Sequence, residues 1–385
     1  MWSTPDRVPH KHLWLWDTVF HSFAMNLFDP KLSRELLRAM LDTLWTAEDA
    51  AKAGQPEREG MMSHMCCVDG TRSHVTQPPI LAWGVLENTK RLGVTADLAE
   101  ILPTLEAYLE WDLAHRDRNR NGLLEWHMEG QVRCRCGESG LDNSPRFDSG
   151  EFLDAVDFSA FASHDMRCLA ELLVMTGHTK RAALWRKRAE DMENDIQAML
   201  WSEADGFYYD RTMDGQLTGV KAVSGFFPLL LPSVPADRAK RLAAMLNSTH
   251  FQARFPIPSV AATDREFSTD MWRGATWANT NYVALLGLER HGFKDEAAAL
   301  REATIRMVQK HYEQSGVLFE FFDAADRVPP SACDRKGPPD GKPYLMGKVN
   351  SIRDYHWTAA VTACLLLSHT AGFPTNSGRQ RIERP

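Results

Sequence analysis

Residues 17–47 read DTVFHSFAMNLFDPKLSRELLRAMLDTLWTA, and they contain two helical segments of opposite character. The first, over 17–28, is apolar on almost every side, whereas the second, over 31–47, places charged and apolar residues at helical spacing. A helix that is apolar all round is buried on all sides, and an amphipathic helix buries only one face. The pair therefore predicts an inner helix followed by an outer helix.

The same alternation continues along the chain and predicts an all-α protein. Six apolar and five amphipathic segments indicate one (α/α)6-barrel domain over 1–385, with a first outer helix that is lacking or irregular. Strand signals are limited to 206–210 (GFYYD) and 317–323 (VLFEFFD). The further apolar segments are 78–91, 157–176, 222–231, 277–291 and 356–371, and the further amphipathic ones are 96–116, 179–201, 235–247 and 294–314.

Composition excludes several classes of protein. The net charge is −7 and the basic residues are scattered, so no nucleic-acid partner is expected. No run of eighteen apolar residues is present, which argues against a membrane span, and the N-terminus lacks the pattern of a secretory signal. Seven cysteines, two of them adjacent, do not resemble a disulfide framework, and a cytoplasmic protein is expected.

In such a barrel the inner helices all begin at the same end, so the segments that precede them gather at one mouth. We expect a ligand pocket there. An incomplete outer ring would leave one flank to be covered by a homodimer partner or by the tail over 372–385. The segments that converge are WLWD (14–17), VTQPP (75–79), ESGLDNSPRFD (138–148), WRGATWANTNY (272–282), FEFFD (319–323) and HW (356–357).

The order of these motifs carries a resemblance. WLWDTVF, TQPP, RDRNRNGLLEW, SGLDNSPR, WRGATWANTNY and FEFFD resemble glycoside hydrolase family 63 and its trehalase-like relatives. The resemblance implies an (α/α)6-barrel enzyme that hydrolyses α-glucosidic or α-mannosidic bonds with inversion. Without the β-sandwich domain of the larger members, the chain resembles the short bacterial type, some of which act on glucosylglycerate or mannosylglycerate.

The resemblance implies two catalytic carboxylates, Asp142 as general acid and Glu320 as general base. Inverting hydrolysis needs such a pair, roughly 6.5–9.5 Å apart to admit a water molecule. The acid has to hold a proton near neutral pH, and we expect burial beside Leu141 and a nearby Glu138 to favour this. An Asx turn is the alternative reading of Asp142, and a polar hairpin position is that of Glu320.

Further residues are expected to bind substrate. The resemblance places Asp17 and Gln77 in the pocket, although Asp17 could instead cap its helix. Arg273 could orient Glu320 or a substrate acid, or form a structural ion pair. Tryptophans at the ends of elements suit stacking on a sugar ring, with core filling as the alternative. The remaining predicted contacts are Trp14, Trp16, Trp126, Trp272, Gly274, Trp277, Asn281 and Trp357.

One loop suggests a metal. Asp117, Asn119, Asn121 and Gly122 match the start of a calcium loop, but Met128 stands where the bidentate glutamate belongs. A structural Ca²⁺ and a plain tight turn both remain open, and no cofactor is expected to be required. The Cys66-Cys67 and Cys134-x-Cys136 spacings differ from zinc knuckles, which favours free thiols.

The sequence thus predicts an inverting glycoside hydrolase that acts on a small saccharide or glycosyl conjugate. A long loop over 327–343 is predicted to cap the pocket, which favours a small substrate over a polymer. Two alternatives stay open: a sugar 2-epimerase or isomerase on the same class of barrel, using histidine bases, and a carbohydrate-binding protein without catalysis.

Overall fold

The computed structural model describes residues 1–7, 10–130, 134–336 and 350–370, and helices dominate it. The fourth inner segment is a 3₁₀ helix, Val223–Leu230, which contains a proline that cannot donate a helical hydrogen bond. The α-helices of the described residues are α1 (Leu15–Phe28), α2 (Pro30–Leu41), α3 (Ala47–Ala53), α4 (Leu81–Leu92), α5 (Leu98–His115), α6 (Val156–Met175), α7 (Thr179–Met199), α8 (Ala236–Met245), α9 (Ala278–Arg290), α10 (Lys294–Ser315) and α11 (His356–Thr370).

The apolar helices form a closed inner ring. α1 packs against α4, α4 against α6, α6 against the 3₁₀ helix, that helix against α9, α9 against α11, and α11 against α1. Of the amphipathic helices, α2, α7 and α10 each cover the inner helix that precedes them, and α5 lies against α6. The predicted (α/α)6 barrel is confirmed, including the alternation of inner and outer helices.

An irregular segment lies where a first outer helix would complete the ring. Residues 1–7 cross the seam between α1 and α11: the His356 N–H donates to Pro5 O at 2.7 Å, and Ser3 Oγ is 2.7 Å from His21 Nδ1. The His21 and His356 rings stack across the seam at 3.7 Å. Leu366 on α11 is 48% exposed, so part of this flank faces solvent. The tail over 372–385, one of the two covers expected for this flank, lies outside the described residues.

Helix ends follow local chemistry. The Asp29 side chain accepts hydrogen bonds from the backbone N–H groups of Lys31 and Leu32, and Pro30 occupies the first helical position of α2. The amphipathic segment predicted to reach residue 47 ends at Leu41. The chain turns there because the backbone N–H of Trp45 pairs with Met61 O instead of continuing the helix.

Six two-residue strands tie the loops together. They are β1 (Leu13–Trp14), β2 (Met65–Cys66), β3 (Leu153–Asp154), β4 (Trp201–Ser202), β5 (Phe207–Tyr208) and β6 (Arg211–Thr212). β1 pairs with β2, β3 with β6 and β4 with β5, all antiparallel. β5 confirms the strand signal in GFYYD. The segment 317–323 forms single bridges instead, one of which joins Phe322 to Thr276.

All seven cysteines are free thiols. In the described ranges no three His, Cys, Asp or Glu side chains group in a way that could hold a metal ion. Within the same ranges, no helix has the length and apolar character required to cross a bilayer.

Candidate active site

Asp142 lies in a tight turn at the mouth of the barrel. The turn follows the 3₁₀ helix Gly137–Ser139, and Gly140 adopts a left-handed φ of 72°. A Cβ on Gly140 would stand 2.5 Å from Cζ2 of Trp16, so only glycine allows the loop to approach this ring. Ser139 Oγ accepts the Leu141 N–H at 3.0 Å. These contacts fix the backbone on both sides of Asp142.

The Asp142 carboxylate is paired with a lysine that sequence reasoning did not identify. Lys336 Nζ lies 2.5 Å from Asp142 Oδ2, and the two side chains are 8% and 18% exposed, respectively. Burial alone would lower the pKa of Lys336, but the attraction of Asp142 outweighs burial and raises it. Asp142 and Lys336 therefore form a partly desolvated ion pair.

Glu320 is held in a similar way by the residue next to that lysine. Arg335 Nε donates to Glu320 Oε2 at 2.8 Å, and an Nη2 hydrogen bond reaches Oε1 at 3.2 Å. The Ile352 N–H donates to Oε2 at 3.3 Å. Burial would lower the pKa of Arg335, but Glu320 more than offsets this and raises it. Two adjacent cations thus contact two carboxylates that are far apart in the sequence.

Asp17 is the third carboxylate of the mouth. It lies in the first turn of α1, where its side chain forms no cap, and its buried Oδ1 has no hydrogen-bond partner among the described residues. Burial raises its pKa well above the usual range, and the charges of Glu320 and Asp142 raise it further. The three carboxylates therefore share one electrostatic environment. An unpartnered buried oxygen at this place suits a ligand hydroxyl.

Four tryptophans pack together beside these carboxylates. The rings of Trp272 and Trp277 stack at 3.7 Å with an interplanar angle of 4°. Trp357 meets Trp16 and Trp277 edge-on at 5.4 and 5.6 Å. Within the part of the chain that the structure describes, the buried indole N–H groups of Trp272, Trp357 and Trp14 have no acceptor. The described part of the mouth thus contains three unpartnered indole donors and one unpartnered carboxylate acceptor, Asp17 Oδ1.

The structure corrects the role expected for Glu138. Arg116 donates to both of its oxygens at 2.8 Å, and the backbone N–H groups of His127 and Thr76 donate to it at 2.8 and 3.0 Å. Burial alone would raise the pKa of Glu138, but Arg116 and these hydrogen bonds lower it. Glu138 thus holds the loops together, and its charge is directed to Arg116, 22 positions earlier.

Among the described residues, Arg273 contacts Asp148, Glu266 and Asn143 and not Glu320, so the structural ion pair is the interpretation that its contacts favour. Its guanidinium pairs with Asp148 at 2.7 Å and with Glu266 at 2.7 Å, and it donates to Asn143 O. The orientation of Glu320 falls to Arg335 instead. Arg273 ties the WRGATW loop to the SGLDNSPR loop.

Three predicted substrate contacts have internal structural roles. Trp126 stacks on Phe158 at 3.7 Å and its Nε1 donates to Asp157, so its ring is used inside the protein. Asn281 accepts the Ile257 N–H and donates to Pro256 O and Thr304 Oγ1. Gly274 has φ 148°, and a Cβ there would stand 2.4 Å from Ser268 O, so it serves the turn.

Gln77 combines both kinds of role. Its Oε1 accepts the backbone N–H of Trp16 at 3.1 Å, which ties the TQPP loop to the start of α1. The side chain is nearly buried beside the tryptophan cluster. Gln77 therefore lies at the mouth as expected, and the contact confirms that the first two of the converging segments meet.

The arginine of SGLDNSPR, Arg146, anchors the loop that carries Asp142. Arg146 is fully buried, and its guanidinium forms ion pairs with Asp157 on α6 and with Asp210. Because removal of one member of such a group leaves a buried charge uncompensated, the group fixes the loop firmly. Sequence reasoning did not single out Arg146, although its place inside the motif was a signal.

The DRNRNG loop satisfies its own polar groups. Asp117 accepts the N–H groups of Asn121 and Gly122 at 3.0 and 3.1 Å. The amides of Asn119 and Asn121 donate to Asp154 at 2.8 and 2.7 Å. These contacts are those of a tight turn, and calcium binding at Asp117, Asn119 and Asn121 stays a prediction.

Part of the predicted capping loop is visible. Cys333, Arg335 and Lys336 are buried over the mouth, and Asn350 Nδ2 donates to Cys333 O at 3.1 Å. Residues 337–343 of the predicted cap lie outside the described residues. The Arg-Lys dipeptide gave no sequence signal, because a basic pair in a loop rich in proline and glycine is ordinarily solvated.

Comparisons with known proteins agree with this fold. A GH63 mannosylglycerate hydrolase from Thermus thermophilus, solved in complex with glucose, superposes with a TM-score of 0.74 at 22% identity, over 94% of this chain and 95% of that chain. Neutral trehalase Nth1 from Saccharomyces cerevisiae gives a TM-score of 0.68 at 14% identity, over 95% of this chain and 73% of that chain.

Sequence relatives extend the comparison. A mannosylglycerate hydrolase of Rubrobacter radiotolerans is 29% identical over 82% of this chain and 86% of its own length. A second mannosylglycerate hydrolase, from Thermus thermophilus, is 23% identical over 80% of this chain and 89% of its own length. The chain also matches an uncharacterized protein of Borreliella burgdorferi at 29% identity, of which it spans 46%.

A ring of paired helices with carboxylates at its mouth defines an (α/α)6-barrel glycoside hydrolase. Within that class, the chain belongs to the family of mannosylglycerate hydrolase MGH1-like glycoside hydrolase domains, whose model matches residues 10–329. The resemblance to family 63 and the prediction of an inverting hydrolase for α-glycosidic bonds of small saccharides are confirmed. The epimerase and non-catalytic alternatives receive no support from these relatives.

Proposed function

We propose that this enzyme hydrolyses an α-mannosyl or α-glucosyl glycerate, or a conjugate of similar size, with Asp142 as general acid and Glu320 as general base. The observation that carries the assignment is the meeting of these two carboxylates at the mouth, where the adjacent residues Arg335 and Lys336 contact them. The names of the two bacterial mannosylglycerate hydrolases that align with most of the chain support the substrate class.

The contacts of Glu320 suit a general base. A guanidinium in bidentate contact favours the ionised carboxylate, and an ionised carboxylate can take a proton from water. The attacking water would approach the anomeric carbon from the side opposite to the leaving oxygen, while Asp142 donates a proton to that oxygen. The balance is one water consumed, one C–O bond broken and one formed, with inverted configuration at the anomeric carbon.

The remaining groups of the mouth would hold the sugar. The free Asp17 Oδ1 would accept a hydroxyl hydrogen, and the indole N–H groups of Trp272 and Trp357 would donate to hydroxyl oxygens. The flat Trp faces, Trp16 and Trp277 included, exclude water, which strengthens every polar contact within. The site lies under a covered mouth, which favours a small substrate over a polymer. Trp14 and Gln77 complete the proposed substrate contacts.

We also propose that one domain carries the whole site and that the enzyme works in the cytoplasm, where seven free thiols would stay reduced. Self-association through the α11 flank is the proposed oligomeric state, because Leu366 and Leu367 are 48% and 37% exposed there. Light scattering of the protein after gel filtration tests it, and a strictly monomeric mass at all concentrations would contradict it.

The function is tested with matched glycosides. We expect one of the α-mannosyl or α-glucosyl conjugates of glycerate, glycerol or a second sugar to be hydrolysed, with the β-anomer of the free sugar as first product in a ¹H NMR time course. Release of the α-anomer first, or interconversion of free mannose and glucose without hydrolysis, would contradict the proposal.

A further inference from the structure

A cavity of about 1010 Å³ lies in the barrel at the end opposite to the mouth. The inner helices begin at the mouth, and the cavity is lined mainly by the second halves of α1, α4, α6, α9 and α11. Among its described lining residues, none belongs to the set proposed for catalysis or sugar binding. Small-molecule sites have volumes of roughly 300–1,000 Å³, so the cavity has room for a ligand of its own.

Aromatic and aliphatic side chains form the inner wall of this cavity. The centroid of the Phe23 ring lies 4.8 Å from that of Trp83 and 6.0 Å from that of Tyr282. Leu230 on the 3₁₀ helix and Leu285 on α9 are both buried and continue the wall. Because apolar surface favours an apolar occupant over water, the wall fits an aromatic or alkyl group.

The charged side chains that line the cavity, which we call the rim, carry an excess of positive charge. This excess is three, in a chain whose net charge is −7. A cleft lined by an excess of one sign attracts ligands of the opposite sign. The rim consists of six cations, Lys90, Arg91, Arg167, Arg186, Arg290 and Arg301, and three carboxylates, Glu87, Glu171 and Glu289.

Two arginines of the rim have no partner among the described residues. Arg186 on α7 and Arg290 on α9 are exposed, and their guanidinium groups form neither a salt bridge nor a hydrogen bond there. Arg301, by contrast, pairs with Glu289 at 2.5 Å. Two guanidinium groups on separate helices are thus available to an anion at the edge of the apolar wall.

The positive potential of the rim extends into the wall. The His164 ring lies edge-on to Trp83, with the ring centroids 5.0 Å apart. Burial is the main cause that lowers its pKa to about 3, and the charges of Arg290, Lys90 and Arg167 lower it as well. These three cations therefore act on the interior of the cavity, where the neutral His164 ring does not offset them near pH 7.

We propose that this cavity is a second ligand site, which takes a small anion with an apolar body, such as an aryl or medium-chain alkyl carboxylate or phosphate. The apolar body occupies the aromatic wall, and the anionic group pairs with Arg186 and Arg290. A neutral sugar leaves the excess charge of the rim unmatched. The sequence over 371–385 has three arginines and one glutamate, so its charge has the same sign as the rim and does not complement it.

The first test titrates two fluorescent probes into the full chain. One is the aryl anion 8-anilino-1-naphthalenesulfonate, and the other is N-phenyl-1-naphthylamine, which lacks the sulfonate. We expect one anion bound per chain, about tenfold or more tighter than the neutral probe at low salt, and high salt should remove this difference by screening. The anion should also raise the Tm, as a ligand of the folded protein does. Equal affinities, no saturable binding or a lowered Tm would overturn the inference.

The two unpaired arginines are tested together. The Arg186→Gln, Arg290→Gln double variant should bind the anionic probe about tenfold or more weakly and the neutral probe as before, because only the charge pairing is lost. Arg265→Gln is the matched control, since Arg265 is 92% exposed and its partner is Glu266 at 3.5 Å. An unchanged affinity of the double variant for the anion would overturn the inference.

Two further variants locate the bound probe. Leu286 lines the cavity, so Leu286→Trp should fill part of it and weaken the binding of both probes, with circular dichroism as the check of its fold. Asp142→Asn, at the mouth, should leave both affinities unchanged, and loss of the anion in this variant would overturn the inference. No glycoside has to be cleaved in any of these measurements, so a failure of the proposed function stays distinguishable from a failure of this inference.

Displacement of the anionic probe identifies the head group. Decanoate, decyl phosphate and decanol share one alkyl chain and differ in charge. We expect decanoate or decyl phosphate to displace the probe at concentrations about tenfold or more below that of decanol, and the more effective anion indicates which head group the site prefers. Displacement by decanol at equal concentration, or by neither anion, would overturn the inference.

Discussion

Arg335 donates two hydrogen bonds to the carboxylate of Glu320, through Nε at 2.8 Å and through Nη2 at 3.2 Å, and both side chains are nearly inaccessible to solvent. The pair joins the loop that precedes residue 337 to the FEFFD segment. Since a bidentate guanidinium fixes both the plane and the charge of a carboxylate, Arg335 is a positioning residue for the proposed base.

Replacing Arg335 by Met should therefore reduce activity through Glu320. We expect kcat to fall at least tenfold, because Glu320 loses the bidentate contact that fixes the plane of its carboxylate. Leaving Glu320 buried and unpaired should also lower the free energy of unfolding by about 3–5 kcal/mol. Steady-state kinetics and urea unfolding measure the two effects.

Arg335→Lys should be more active than Arg335→Met, because lysine keeps the positive charge but lacks the bidentate guanidinium. Arg327→Lys serves as control, since Arg327 is 58% exposed and its nearest carboxylate is Asp323 at 3.5 Å. An Arg335→Met enzyme with an unchanged kcat would mean that the guanidinium does not position Glu320 during turnover.

The carboxylates themselves give the largest predicted effect. Asp142→Asn and Glu320→Gln should each lower kcat by at least 10³-fold, since each removes one of the two proton transfers that inversion needs. Both changes preserve side-chain volume, and kcat on the best substrate of the glycoside panel measures the loss.

Two exposed carboxylates elsewhere on the surface, Glu151 and Glu313, provide matched controls. Glu151→Gln and Glu313→Gln should leave kcat within a factor of two, since both side chains are exposed and neither is at the mouth. Full turnover of the Asp142→Asn, Glu320→Gln double variant would remove both residues from the proposed mechanism.

Gly140 makes a specific steric prediction. Gly140→Ala should lower the free energy of unfolding by about 2–4 kcal/mol, from about 1–2 kcal/mol for the left-handed φ and the rest from overlap with the Trp16 ring. Activity should fall too, because the Asp142 turn shifts. Urea unfolding and kcat are the measurements.

Gly150 separates the cost of the left-handed backbone from the cost of the overlap with Trp16. It has nearly the same φ, 75° against 72°, but a Cβ there meets open space. Gly150→Ala should therefore cost only the backbone part and leave kcat unchanged. Equal costs for the two substitutions would show that Trp16 moves aside without penalty.

Stability should decrease in acid through the buried histidine His164. Burial lowers its pKa from 6.5 to about 3, and its ring packs edge-on against Trp83. Since the unfolded chain binds a proton below about pH 6.5 and the folded protein does not until about pH 3, the free energy of unfolding falls as pH drops through this window.

His164→Gln should make that decline shallower by about one proton, which urea unfolding at pH 7, 6, 5 and 4 would reveal as a smaller slope of free energy against pH. His250→Gln is the control, because the His250 ring lies near the surface beside Thr263. An unaltered slope in His164→Gln would assign the acid sensitivity to other groups.

Much of the site followed from the sequence, because the order of the motifs along the chain can be read directly from the residues. Asp142, Glu320 and Asp17 all lie at the mouth, and the contact of Gln77 with Trp16 joins two segments that were expected to meet. The partners of these residues did not follow. Glu138 was assigned to Asp142 because the two are close in sequence, yet Arg116 takes both of its oxygens.

The sequence by itself determined the architecture, because burial on all sides or on one side is written into the period and composition of each helix. It also predicted which carboxylates lie at the mouth, Asp142, Glu320 and Asp17. Only the tertiary structure decided which cation each of them contacts, which indole N–H groups stay unpartnered and which tryptophans serve the core. Those contacts depend on the paths of the loops across the mouth, because a polar side chain pairs with whichever partner is close in space. The periodicity of the sequence contains no information about that distance.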